Sequence, residues 1–226
     1  ALWLTEPDAN AIGRLSLQGA LSEYPIADID KVPDQITVGP DGALWFTEVE
    51  TIGRISTTGA ITQLPMGGVS SPTSIVTDHG AIWVSDDARG LISRLTPSGT
   101  RTDFAVPHGA HPEAMTVGPD GALWWLDARQ NEIGRMTISG SALEYSIPTN
   151  VSELTSICAG PDGNVWFTEL NGDNVGRLTP DGLVTEFKAP DGSSPTGIVA
   201  GPDGNVWFTE PGTNQLGEII LHPHPY

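Results

Sequence analysis

The sequence predicts an all-β fold, a β-propeller of six four-stranded blades, and three observations carry that reading. Trp3, Trp45, Trp83, Trp124, Trp166 and Trp207 recur at spacings of 42, 38, 41, 42 and 41. The stretch AGPDGNVWFTE stands at 159–169 and again, unchanged, at 200–210. Gly and Pro, 27 and 19 residues respectively, fall at the same phase of each repeat, which marks turns rather than disorder. A fixed period of about 40 residues built from short strands and tight turns is that of propeller blades, since one blade cannot bury both faces alone. The modules run at about 1–27, 33–66, 72–107, 112–148, 153–190 and 195–222, within a single domain 1–226.

Residues 33–66 show how each element arises. Ile36–Val38 reads as a short strand A. GPDG is a tight turn, with Pro fixing φ, Asp accepting local backbone hydrogen bonds and Gly taking the conformation others avoid. Ala43–Thr47 is strand B, its nearly continuous apolar run expected of a strand covered on both faces. Ile52–Ser56 is strand C, and Ala60–Leu64 is strand D at the outer edge, ended by Pro65, which cannot extend a ladder. No segment sustains a 3.6-residue apolar period, so almost no helix is expected. The recurrent Trp is expected between neighbouring blades. Gly13, Gly53, Gly134, Gly176 and Gly217 suggest a backbone closely approached by the adjacent sheet.

The chain opens at ALWLTE, which reads as strand B, and its last module closes at QLGEIILHPHPY, which reads as strand C. A preceding segment of roughly 20–25 residues, half a period, would supply both missing strands. A seven-bladed ring with its N-terminal part missing is the alternative.

Net charge is −18, with 10 Lys and Arg against 28 Asp and Glu. That excludes nucleic acid and anionic membrane surfaces as expected partners. A metal cation, a small molecule or a protein at the channel mouth remains, on what is expected to be a monomer. No visible signal peptide or membrane-spanning run is present, and the compartment is unknown. Cys158, the one Cys, lies in the apolar run SICAG and is expected in the core.

The pattern P-x-x-I-x-x-G-P-D-G-x-[LV]-W-F-T-E, followed by I-G-R-[IL] and a [LFY]-x-x-P strand, resembles the streptogramin B lyase (virginiamycin B lyase) propellers over the whole chain. The resemblance implies a carbon–oxygen lyase that opens a cyclic depsipeptide by elimination across the ester, with Mg²⁺ and a His base. It also implies that this His stands at the start of strand A, after Pro, in the last blades. The strand-A starts here are Asp34, Thr73, Glu113, Thr155 and Thr196.

Candidate site residues follow. The stretch PHGAHPE places His108 and His111 just before Glu113, two imidazoles and a carboxylate able to act as acid and base or to hold a metal. Glu113, His111 and Asp34 are the catalytic candidates; Thr73, Thr155, Thr196 and His108 are the ligand-binding ones. Glu6, Asp8, Glu48, Glu50, Asp86, Asp87, Asp127, Glu132, Glu169, Asp173 and Glu210 fall at the end of strand B or in the loop after it, opposed there by Arg89 and Arg129, as an acidic mouth. The acid after each Trp (Glu6, Glu48, Asp86, Asp127, Glu169) is expected to pair across strands with Arg14, Arg54, Arg94, Arg135 or Arg177. In the last module Glu218 replaces the Arg, so Glu210 and Glu218 are expected to face each other and share a bridging Mg²⁺ or Ca²⁺. No organic cofactor is expected. His79, His222 and His224 are expected to be inert surface residues.

Overall fold

The structure, a computed structural model, describes residues 1–221. Among them the regular structure is all β apart from two short 3-10 turns. No helix is long and apolar enough to cross a membrane. The chain divides into two compact units, Ala1–Val106 and a second from Pro107 onward.

The first unit holds three antiparallel sheets. They are β1 Leu2–Glu6, β2 Ala11–Leu15 and β3 Leu21–Pro25; β4 Ile36–Val38, β5 Leu44–Glu48, β6 Thr51–Ile55 and β7 Ile61–Pro65; and β8 Pro72–Asp78, β9 Ala81–Asp86, β10 Leu91–Leu95 and β11 Arg101–Ala105. The second unit holds β12 Met115–Val117, β13 Leu123–Asp127, β14 Glu132–Met136 and β15 Ala142–Ser146; β16 Leu154–Ala159, β17 Val165–Glu169, β18 Asn174–Leu178 and β19 Val184–Lys188; and β20 Ile198–Ala200, β21 Val206–Glu210 and β22 Gln215–Ile219. Strands follow chain order in every sheet; four sheets have four strands, and the first and last have three. Module 33–66 yields its expected strands to within one residue. Pro65 is the last residue of edge strand β7, opposite Thr51, rather than a stop before it.

The second, fourth, fifth and sixth modules lock the turn to the Trp. Asp41 of the GPDG turn accepts from the Trp45 indole at 3.0 Å, from the Ala43 amide at 3.2 Å and from Arg54 Nε at 2.7 Å. Arg54 also lies over the Trp45 ring, 5.9 Å from its centroid. Asp120, Trp124 and Arg135 repeat the arrangement. Burial opposes ionisation of Asp41 and Asp120, yet the indole, guanidinium and amide donors hold both below the usual carboxylate range. In the third module DHG replaces GPDG, and the Trp83 indole N–H has no partner.

This arrangement corrects the expected Arg–acid bridge. Arg54 is in register with Trp45, and Glu48 with Thr51. An acid three residues after the Trp points to the opposite face of the strand, so the Arg reaches the turn Asp instead. Arg14 and Arg94 likewise lie over Trp3 and Trp83.

Trp45, Trp83, Trp124 and Trp166 are fully buried. Trp45 packs with Ile75, Ile82 and Val84 of the next sheet, and Trp166 with Val206 and Phe208, which bears out the Trp between sheets. The recurrent glycines make room for their own sheet rather than its neighbour. A Cβ on Gly53, Gly134, Gly176 or Gly217 would strike the ring of Phe46, Trp125, Phe167 or Phe208, each its cross-strand partner. Cys158 is half-buried against Trp166 and Phe187, and burial pushes its thiol up to about 12.

Candidate functional site

The starts of the first strands form a hydroxyl and backbone network. The Thr155 hydroxyl lies 2.8 Å from that of Thr168 and within 3.2 Å of the Pro195 and Thr196 carbonyls; Thr168 donates to Thr196 O at 2.9 Å. Thr155 and Thr168 thus fasten the fifth sheet to the start of the sixth. The Thr196 and Thr209 hydroxyls pair at 2.9 Å, as do Thr73 and Ser85. Asp34 differs. Its backbone N–H donates to Thr47 O at 3.0 Å and its carbonyl accepts from Thr5 at 2.6 Å, while the carboxylate stays at the surface.

The acids that end the second strands are not a solvent-facing funnel. Glu48, Asp86, Asp127, Glu169 and Glu210 are all at most 3 % exposed. Asp86 accepts from Ser70 at 2.6 Å and from the Ser71 and Arg89 amides. Asp127 accepts from the His111 and Gln130 amides at 2.8 and 2.9 Å and from the Gln130 side chain. Glu48 Oε2 accepts from Thr51 at 2.6 Å and Gln63 at 2.8 Å, whereas Oε1 has no donor. Burial raises the Glu48 carboxyl, and Asp28 adds to the shift against the charge of Lys31.

Glu169 is the extreme case. Neither of its oxygens has a donor in hydrogen-bonding geometry. Burial first, and then the charge of Glu186 opposite Gly176, push it up to about 7, tempered by nearby Asn174 and Ser152.

In the second unit, the His111 ring lies 3.0 Å from Arg129 through Nδ1, and the Glu113 amide donates to Leu126 O at 3.0 Å. His108 sits exposed in a 3-10 turn at positive φ, near enough to Glu144 for its charge to be felt there. His79 is exposed and pairs with its neighbour Asp78. His222 and His224 lie outside the described residues.

Three of the sequence candidates, Asp34, Glu48 and Thr73, share one cavity. Val32, Asp34, Thr47, Glu48, Val49, Ser70, Ser71, Pro72 and Thr73 line a volume of about 290 Å³ between the second and third sheets, inside the first unit.

A family model described as the virginiamycin B lyase family matches residues 1–224. The chain belongs to the virginiamycin B lyase family. It is similar to a catalytically inactive virginiamycin B lyase from Staphylococcus aureus, solved with quinupristin, at 35% identity and a TM-score of 0.92, covering 97% of this chain and 77% of that one. It is also similar to a structure described as streptogramin B lyase, at 32% identity and a TM-score of 0.88, covering 98% and 80%. At 18% identity, a chain of a nidogen–laminin complex shares the fold alone, with a TM-score of 0.69. No curated protein matches the chain.

The strand starts of this sequence carry Asp34, Thr73, Glu113, Thr155 and Thr196, none of them His, and the network above gives Thr155 a structural partner set. The Mg²⁺ that the family resemblance implies does not fit the nominated pair. Glu218 is in register with Trp207 and accepts from Asn205 at 2.7 Å, whereas Glu210 is in register with Gln215 and lies on the other face. The expected face-to-face carboxylates are therefore absent, for the same parity reason as the Arg–acid bridge. Among the described residues no three His, Cys, Asp or Glu side chains are placed to hold a metal ion.

Sequence reasoning missed the loop latches. Asn131 Nδ2 donates to the Ile147 and Thr149 carbonyls, and its Oδ1 accepts from Ser152. Asp173 accepts from the Gly192 and Ser194 amides, which hold it low. Asn10 does the same work in the first module. The available signal was an Asn or Asp just before the strand that follows the Trp strand, all three at positive φ, a conformation these residues tolerate.

Proposed function

We propose that the six sheets are blades of one monomeric propeller that binds a small cyclic ester, depsipeptide or related ligand at its strand starts, where this sequence offers no His as base. One observation supports this most. The strand starts carry Asp34, Thr73, Glu113, Thr155 and Thr196, with Thr in the last two modules where the resemblance places the base, and the Thr155 hydroxyl is engaged with Thr168 and with the backbone of the next sheet. Elimination needs a base within reach of the α-proton. A threonine hydroxyl is far too weak a base for that role.

The test is titration calorimetry with quinupristin, with and without Mg²⁺, followed by chromatography of the recovered ligand. Saturable binding with the lactone intact is the expected result. Elimination leaves the mass unchanged, so retention time and fragmentation must report ring opening. Absence of binding removes this ligand class.

A second reading retains elimination, with Glu113 as base. The arrangement favouring it is the approach loop of the fourth module, where the His111 ring meets Arg129 two residues before Glu113. Ring opening abolished by Glu113→Gln would establish it.

A further inference from the structure

We infer that the cavity between the second and third sheets is a binding site for a primary alkylammonium group, received by the carboxylates of Asp34 and Glu48. The inference deepens the ligand-binding reading above and rests on it for the use of the strand starts.

Three features converge. Glu48 lines the cavity, is 2% exposed, and leaves Oε1 without a donor while Oε2 takes two. A buried acceptor without a partner is costly, and a donor that arrives with positive charge relieves it most. Asp34 stands at the same cavity with its carboxylate at the surface, and among the described residues no hydrogen bond or ion pair ties that carboxylate down. No Lys or Arg lines the space. Lys31, whose charge reaches Glu48, pairs with Glu50 at 3.6 Å.

The walls select among cations. Val32, Val49 and Pro72 are apolar, and Thr47, Ser70, Ser71 and Thr73 carry hydroxyls. Ca²⁺ takes about six to eight oxygen ligands and Mg²⁺ keeps several of its waters, so neither makes use of the apolar wall. A quaternary ammonium brings no N–H for Glu48. A primary ammonium brings three donors on a compact charge and a short alkyl stem for the apolar wall. The volume of about 290 Å³ lies at the small end of ligand cavities.

The test is an NMR amide titration of the full chain with n-butylammonium chloride, using n-butanol and CaCl₂ as matched probes. Saturable shifts at Thr47, Glu48, Ser71 and Thr73 are expected with butylammonium alone. Asp34→Asn, a surface change that leaves the fold intact, is expected to weaken binding about ten-fold, and Glu48→Gln at least as much. Equal response to butanol, a stronger response to Ca²⁺, no saturable shift, or unchanged affinity in Asp34→Asn each overturns the assignment. If quinupristin binds and butylammonium does not, the ammonium site falls and the wider reading stands. If butylammonium binds here and quinupristin nowhere, the cyclic-ester reading falls and the site stands.

Discussion

Replacing Glu169 by Gln removes a carboxyl whose ionisation the second unit resists. Its ordinary value of 4.5 is pushed up to about 7 by burial and by Glu186. For an acid raised in the folded state, the proton is held more tightly when folded. Folding therefore carries no penalty below pH 4.5, a growing one between 4.5 and 7, and a constant one above. At about 1.4 kcal/mol per unit the ceiling is ~3 kcal/mol. Relaxation and water entry reduce this to about 1–2 kcal/mol.

The amide of Gln has the shape of the neutral acid and never ionises. Its Tm should match the parent near pH 4.5 and exceed it at pH 8 by about 3–6 °C, given 2–4 °C per kcal/mol at this size. Differential scanning calorimetry of parent and variant across pH 4.5–8 checks this, and the difference between them cancels other titrations. A gap that stays flat with pH, or a variant that is less stable at pH 8, would refute the reasoning.

Further outcomes follow from the same packing. Gly176→Ala drives a Cβ into the Phe167 ring and should cost about 1–3 kcal/mol in urea unfolding. In double-mutant cycles Arg54→Ala should couple to Asp41→Ala by up to about 1 kcal/mol, both groups being partly exposed, and should add without coupling to Glu48→Gln. Cys158, with its thiol near 12, should resist a disulfide reagent at pH 8 in the folded chain and react on denaturation.

Much of the fold was legible because its cause is local. The Trp period, the GPDG turns and the apolar runs fix strands to within a residue or so, and the Trp burial follows from them. The candidate site was less legible because it depends on which face a strand shows its neighbour. Trp45, Arg54 and Asp41 lie on one face, and Glu48 on the other, a difference of parity that spacing to the Arg does not reveal. Glu210 and Glu218 failed as a pair for that reason. The shared cavity of Asp34 and Glu48 needed two sheets in place, since Ser70–Thr73 come from the next module. The lock of Thr155 and Thr168 onto the Pro195–Thr196 backbone is likewise invisible within one repeat.

Product analysis of a streptogramin B lactone, incubated with the full chain and Mg²⁺ and separated by chromatography with fragmentation, tests the central claim most directly. The strand starts of this sequence carry Asp34, Thr73, Glu113, Thr155 and Thr196 and no His, which predicts bound lactone recovered intact, with neither ring-opened isomer nor hydrolysed acid. Appearance of the ring-opened isomer at a rate proportional to protein concentration would contradict it.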